Sequence, residues 1–547
     1  MNRFKKAVTG LNKVIESVFA LKIGTTTLAL NFLGIIILRV FEERFLASTD
    51  NAVYGAIAGF LYNFFFFIVL YLLIWLLLTW ILKMKPMQLT GVLLWSFWLV
   101  LLPPILDMIK TGGSVYWSFY TLDSLVGLWQ EFITFFGHLP SGIVYFGTKI
   151  VFVLTIFLVG GLVFLKTKNF FKTIFSAFFA YVLMFVLGTL PSWLTMIYYF
   201  FQGSKKITEV NAINIVQLFG SMHPIFGIEN DNMKYTFVNN LNGVYFLLLL
   251  FFLGIIFFLE SREKLWATIK NARLPQIAYH TGLLLVGMGL GSFIYPQNWH
   301  LNVFSSISFL VILSSVLLSW KASVIVNDLN DYKIDKITNN WRPLQKNIFT
   351  QKEYINLGII LFCLALLGGL VVGLKFAMFL IVYQTLAWFY SARPYRLKKF
   401  PIIATFFSAL ASITVIFIGY SLFSGDENIK LFPWRIIIMM LMTLTLSLPI
   451  KDFKDIAGDR ADGVWTIPAL FGMEMGKLIV GSGIFISFMS SVFFLNEHKL
   501  FWWALLFGGI SFLAMTSKKT KPYQMIWSVF GAVLVYAVIL IKIVFLK

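Results

Sequence analysis

Charge and cysteine are both scarce in this chain. Of its 547 residues only 12% are charged, and one is a cysteine. A single thiol, Cys363, excludes an intrachain disulfide and any Cys-rich metal site, and its place inside an apolar run reads as a small core residue. Histidine is nearly as rare, and His138, His223, His280, His300 and His498 are scattered with no metal-ligand spacing. The first twenty residues, MNRFKKAVTGLNKVIESVFA, lack a compact apolar stretch ahead of a small-residue cleavage site, so no removable signal peptide is expected there. They read as an interfacial amphipathic lead-in.

What is abundant is apolar sequence. Hydrophobic residues make up 59% of the chain and the mean hydropathy is +0.84, with many runs long enough to cross a hydrocarbon core at ~20 residues each. The fold class expected is all-α, a polytopic membrane protein with about 15 transmembrane helices. The net charge of +20 does not signal nucleic acid, because Lys and Arg fall mostly in short links between apolar runs.

Nine spans are expected after residue 275, at 278–294, 303–326, 355–373, 375–391, 401–423, 434–451, 475–495, 500–516 and 523–545. Every second link is basic, with Arg342 and Lys346 after the second span, Arg393 to Lys399 after the fourth and Lys451 to Arg460 after the sixth. The positive-inside bias puts these links at the cytoplasmic face. Six spans are expected earlier, at 22–40, 53–82, 88–107, 143–165, 173–199 and 243–259. In the third, Pro103 and Pro104 should kink the helix with Asp107 near its exit. The domain reading is an N-terminal helical membrane module at 1–260, a basic interfacial linker at 261–274 and a C-terminal nine-span domain at 275–547. A long polar link at 202–242 has room for surface helices or a binding loop.

Two acidic motifs stand out. In "NDLNDYKID", Asp328, Asp331 and Asp335 are spaced three then four, which puts three carboxylates within ~60° on one helical face beside Asn327. "KDFKDIAGD" repeats the spacing with Asp452, Asp455 and Asp459. Both begin where an apolar run meets a basic link, so both belong to one side of the membrane. Carboxylates so gathered repel unless cations lie between them, and hard oxygen ligands suit Mg²⁺ completed by water and phosphate. Arg342, Arg393, Arg396, Lys398 and Lys399 supply phosphate-binding charge nearby. A metal-bridged diphosphate at a membrane interface points to loss of diphosphate from a lipid allyl ester. The bland reading is a solvated rim of charges at helix ends.

At these residues the chain resembles the UbiA superfamily of intramembrane prenyltransferases, over about residues 270 to 547. The likeness rests on "NDLNDYKID" after the second span and "DFKDIAGD" after the sixth, with "RPL" at Arg342 to Leu344 and "GDRADGVWTIPALFG" at Gly458 to Gly472. It implies a nine-helix bundle in which Asn327, Asp328, Asp331, Asp335, Asp452, Asp455 and Asp459 hold two Mg²⁺ ions on a prenyl diphosphate. It also implies diphosphate contacts from Tyr390, Arg396 and Lys398. Arg342 and Lys451 are nominated either for substrate or for loop order and charge balance. Asp462 is read as a turn residue or part of the rim.

The chain departs from the family pattern at "QKN" (Gln345 to Asn347), which follows "RPL", and at Thr338. "KDFKDIAGDRADGVWTIP" looks more like enzymes acting on geranylgeranylglyceryl phosphate or chlorophyllide than on 4-hydroxybenzoate. The implied activity is prenyl transfer to an unidentified aromatic or phosphorylated-alcohol acceptor, in a prokaryotic plasma membrane with the motifs on the cytoplasmic side. The partners implied are prenyl diphosphate and the lipid bilayer, with no nucleic acid. The rival readings are a transporter or cation pathway, or an inactive lipid-binding module. A transporter predicts carboxylates at mid-span rather than at span ends.

Overall fold

The computed structural model describes residues 16–21, 23–46, 56–112, 122–137, 146–220, 233–299, 301–424, 431–461, 463–517 and 520–545, with isolated positions before residue 16. Among these residues there is no strand, and 15 helices are long and apolar enough to span a membrane. Helix is the form such sequences must take, because it satisfies every backbone N–H and C=O within the segment, away from water. His138, His223, His300, Asp462, most of the expected lead-in and residues 221–232 of the polar link lie outside the described residues.

The chain divides into two compact units, one ending at Leu265 and the other running from Trp266 onward. The first unit contains α1 (Thr25–Leu46), α2 (Ala56–Leu82), α3 (Leu102–Thr111), α4 (Phe146–Thr167), α5 (Phe170–Gly188), α6 (Leu190–Gln202) and α7 (Met233–Glu260). The span expected at 173–199 is two helices, because Pro191 in the first turn of α6 cannot continue the hydrogen-bond ladder of α5. Pro103 and Pro104 likewise open α3, after a 3₁₀ stretch at Phe97–Leu101. Pro104 has no N–H for the Val100 carbonyl four residues back. The buried Arg39 guanidinium donates to that carbonyl instead, and it pairs with Glu43 at 2.7 Å. Asp107 accepts from the Gly147 amide at 2.7 Å, a structural tie at the helix exit.

Helix α8 (Arg262–Lys270) spans the division, and the second unit follows it. Among the described residues nine spans lie here: α9 (Leu274–Ile294), α10 (Val303–Asn330), α12 (Gln351–Val372), α13 (Leu374–Ser391), α14 (Pro401–Ser421), α15 (Trp434–Ser447), α17 (Ile467–Leu495), α18 (Phe501–Thr516) and α19 (Pro522–Val544). Two short helices, α11 (Tyr332–Thr338) and α16 (Ile456–Ala461), carry the ends of the acidic motifs. The starts of the spans are written locally. Proline stands in the first turn of α9, α14, α17 and α19, where a missing N–H costs nothing. Thr350 and Glu353 cap α12 reciprocally, and Asn302 caps α10 through the Ser305 amide at 2.8 Å.

Helix α17 begins eight residues before the expected start at 475, and the chain bends within it at Gly472 (φ 76°). α9 crosses α14 at close range. A Cβ on Gly287 would stand 2.0 Å from the Ile416 carbonyl oxygen, and one on Gly419 would stand 2.1 Å from that of Leu284. Small residues thus let two backbones meet where lipid supplies no hydrophobic drive. Cys363 does not pack in the core as expected; it lies exposed on α12.

Candidate active site

The acidic motifs are not continuous helical faces. Asp328 lies within α10, Asp331 closes that helix with φ −97° and ψ 12°, and Asp335 sits on α11. Asp452 lies in a 3₁₀ stretch, Leu448–Lys454, that Pro449 forces by lacking the N–H to extend α15; Asp459 lies on α16. The single face inferred from spacing is therefore broken in each copy. In the first motif Asp331 turns to Arg396 and Lys398, while Asp328 and Asp335 share Arg342.

Asp328 is the most enclosed, at 1% exposure. Its Oδ1 accepts from Arg273 and Arg342, each at 2.9 Å, and its Oδ2 accepts from Asn271 Nδ2 at 2.8 Å and Tyr354 Oη at 3.0 Å. Arg342 also pairs with Asp335, which accepts from Asn339 at 3.1 Å. Asp331 pairs with Arg396 at 3.1 Å and with Lys398. Asn327, half-buried, accepts from Ser391 at 3.2 Å. Asn271, Arg273 and Tyr354 carry no motif signal. Asn271 and Arg273 end the stretch read as a linker, which therefore builds part of the site.

The second motif meets the first through α11 packing on α16. Asp459 accepts from Thr466 at 3.2 Å, while Asp452 and Asp455 accept no side-chain hydrogen bond among the described residues. Lys398, bonded to Asp331, lies within electrostatic reach of both Asp452 and Asp459. Tyr390 lies within reach of both Asp331 and Asp452, and it accepts from Lys451 Nζ at 3.3 Å. A main-chain bond from the Trp465 amide to the Lys399 carbonyl, 3.0 Å, ties the chain after the second motif to the basic link.

Burial pushes the Asp335 carboxyl up to about 6 against the pull of Arg342, with Asp328 adding to the rise. Burial, then the charges of Asp452 and Asp455, push Asp459 up to about 7. Among the described residues no three acidic or histidine side chains converge as a preformed metal cluster. The donor set nonetheless fits Mg²⁺. Among the described residues Asp452 and Asp455 present hard oxygens that accept no side-chain hydrogen bond, and Mg²⁺ is bound through one or two carboxylates plus water and phosphate rather than by an all-protein cage.

Fold and site together define an all-helical integral membrane protein whose second unit gathers carboxylates and cations at its span ends. Residues 278–538, all within this second unit, match the model of the UbiA prenyltransferase family. A digeranylgeranylglyceryl phosphate synthase of Methanothermobacter thermautotrophicus is 30% identical over 186 residues, which are 34% of this chain and 63% of that protein. A chloroplastic chlorophyll synthase of Avena sativa is 29% identical over 198 residues, 34% of this chain and 50% of that protein. The chain thus spans less than two thirds of either relative's length.

Among solved structures, a UbiA homolog from Archaeoglobus fulgidus bound to GPP and Mg²⁺ is 17% identical, with a TM-score of 0.39 over 49% of this chain and 96% of its own. A structure concerned with digeranylgeranylglyceryl phosphate synthase is 17% identical, with a TM-score of 0.36 over 52% and 98%.

Proposed function

We propose that the second unit is a Mg²⁺-dependent intramembrane prenyltransferase, moving an isoprenyl group from a prenyl diphosphate to an aromatic or phosphorylated-alcohol acceptor with release of diphosphate. The observation that carries this reading is the convergence of two acidic motifs, through α11 and α16, on the shared cation Lys398. The family match and the two named synthases support the reaction class.

In this reading Asp328, Asp331, Asp335, Asp452, Asp455 and Asp459, with Asn327, hold Mg²⁺, which when bound neutralises charge on the leaving diphosphate. Arg396, Lys398 and Tyr390 bind and orient the diphosphate, and Lys451 holds Tyr390 in place. The allylic C–O bond breaks with its electron pair passing to the diphosphate. The acceptor's oxygen or ring carbon bonds to the allylic carbon, and its proton leaves to diphosphate or solvent. Apolar span interiors keep water from the cationic carbon. In this reading the chemistry lies at the cytoplasmic side of a prokaryotic plasma membrane, a sidedness that the alternation of basic links supports.

The test is prenyl transfer by the full chain in lipid vesicles, with labelled isoprenoid diphosphates of several lengths and pooled aromatic and glyceryl-phosphate acceptors. A labelled product that needs both Mg²⁺ and Asp328, judged with Asp328→Asn, is the expected result. Folded protein that neither transfers a prenyl group nor releases diphosphate refutes the assignment.

A further inference from the structure

Lys321 is the only charged side chain of α10 ahead of Asp328, seven residues or ~10 Å into the span. It is 8% exposed, and among the described residues its ammonium has one hydrogen-bond acceptor, the Asn271 carbonyl at 2.9 Å. Holding one carbonyl needs no charge, since an amide or hydroxyl donor does as much. A buried charge at this depth is costly and by default marks a functional site.

Its surroundings sharpen the point. Lys321 lies within electrostatic reach of Asp328, Arg273 and Arg342. Three cations therefore gather around Asp328, with Arg342 shared by Asp335, and among the described residues Arg342 Nε is buried with no hydrogen-bond partner. Arg396 and Lys398 form a separate group on Asp331, and Lys398 lies within electrostatic reach of Asp452 and Asp459. One group suffices for a diphosphate. The other has excess positive charge before any metal draws Asp328 and Asp335 away from it.

We propose that Lys321, Arg273 and Arg342 form a second anion site that binds a phosphate monoester on the acceptor, so that the acceptor is a phosphorylated lipid alcohol rather than a neutral aromatic ring. This rests on the prenyl-transfer reading above. Planar guanidinium forks take phosphate oxygens pairwise, and Lys321 adds a point charge from within the span. The ammonium's depth favours a headgroup that arrives along the bilayer.

The test uses the full chain in phosphatidylcholine vesicles with four probes: Mg²⁺ with an unreactive prenyl thiolodiphosphate, an isoprenyl glyceryl phosphate, the same lipid without its phosphate, and inorganic phosphate. The phosphorylated lipid should bind at least ~10-fold tighter than its alcohol. Lys321→Met should remove most of that preference while thiolodiphosphate binding stays within about twofold, and Lys321→Arg should restore it. Equal affinity for the two lipids overturns the proposal. So does an equal loss of donor and phospholipid binding in Lys321→Met, or inorganic phosphate binding as tightly as the lipid. Wild-type protein that binds no thiolodiphosphate with Mg²⁺ instead overturns the prenyl-transfer reading beneath it.

Discussion

Arg342 touches two carboxylates, Asp328 and Asp335, in a place where neither has much water. Replacing it with leucine leaves two buried charges facing each other, and such broken pairs cost about 3–5 kcal/mol. Arg342→Leu should therefore lower the thermal midpoint strongly, and added Mg²⁺ should restore part of it; a midpoint unchanged in both conditions refutes the pairing. Tyr354→Phe removes one donor to Asp328 and should weaken Mg²⁺ affinity ~10–100-fold, as losses of outer-shell partners do. Isothermal titration in the presence of prenyl thiolodiphosphate measures this.

Asp335 and Asp459 titrate higher in the fold than the ordinary carboxylate value of 3.8. The folded protein then binds more protons than the unfolded chain, so their stabilising effect is present at low pH and is lost as pH rises through about 6 and 7. Metal-free protein should melt higher at pH 5.5 than at pH 8, and Mg²⁺ should stabilise it more at pH 8. Asp328, Asp331, Arg342, Arg396 and Lys398 are legible from the sequence because motif and cation lie close along the chain or in a basic link. Asn271, Arg273 and Tyr354 reach Asp328 from 57, 55 and 26 residues away, and no local pattern encodes those meetings.

Among elements, the crossing of α9 and α14 is the tightest constraint. Gly287→Ala sets a methyl against the Ile416 carbonyl and should cost about 1–3 kcal/mol, read as a lower thermal midpoint. Gly282→Ala, which meets open space, is the control. Span count is legible because apolar length alone identifies a membrane helix. Breaks inside spans are less so. Pro191 divides one expected span in two, whereas Pro468 merely opens α17, and the letter itself does not say which. The broken acidic motifs were likewise hidden, since a three-four spacing fits a continuous helix as well as two short ones.

At the scale of the molecule, the alternation of basic links makes a prediction about sidedness. With Cys363→Ala as background, a cysteine at exposed Lys346 should react with a membrane-impermeant maleimide only after the membrane is opened. One at exposed Gln297 should react in intact cells. The reverse pattern would invert the topology.

The Trp465 amide bonded to the Lys399 carbonyl bears on how the second unit breathes. It fastens the link bearing Arg396 and Lys398 to the turn that follows Asp459, though 66 residues separate the two positions. Loops joined in this way open as one cooperative unit rather than independently. In deuterium exchange the amides of Lys398 to Phe400 and Val464 to Thr466 should lose protection together. Occupancy of the proposed diphosphate site should slow both in equal measure, so that a gate built from two distant stretches of chain works on a single hinge.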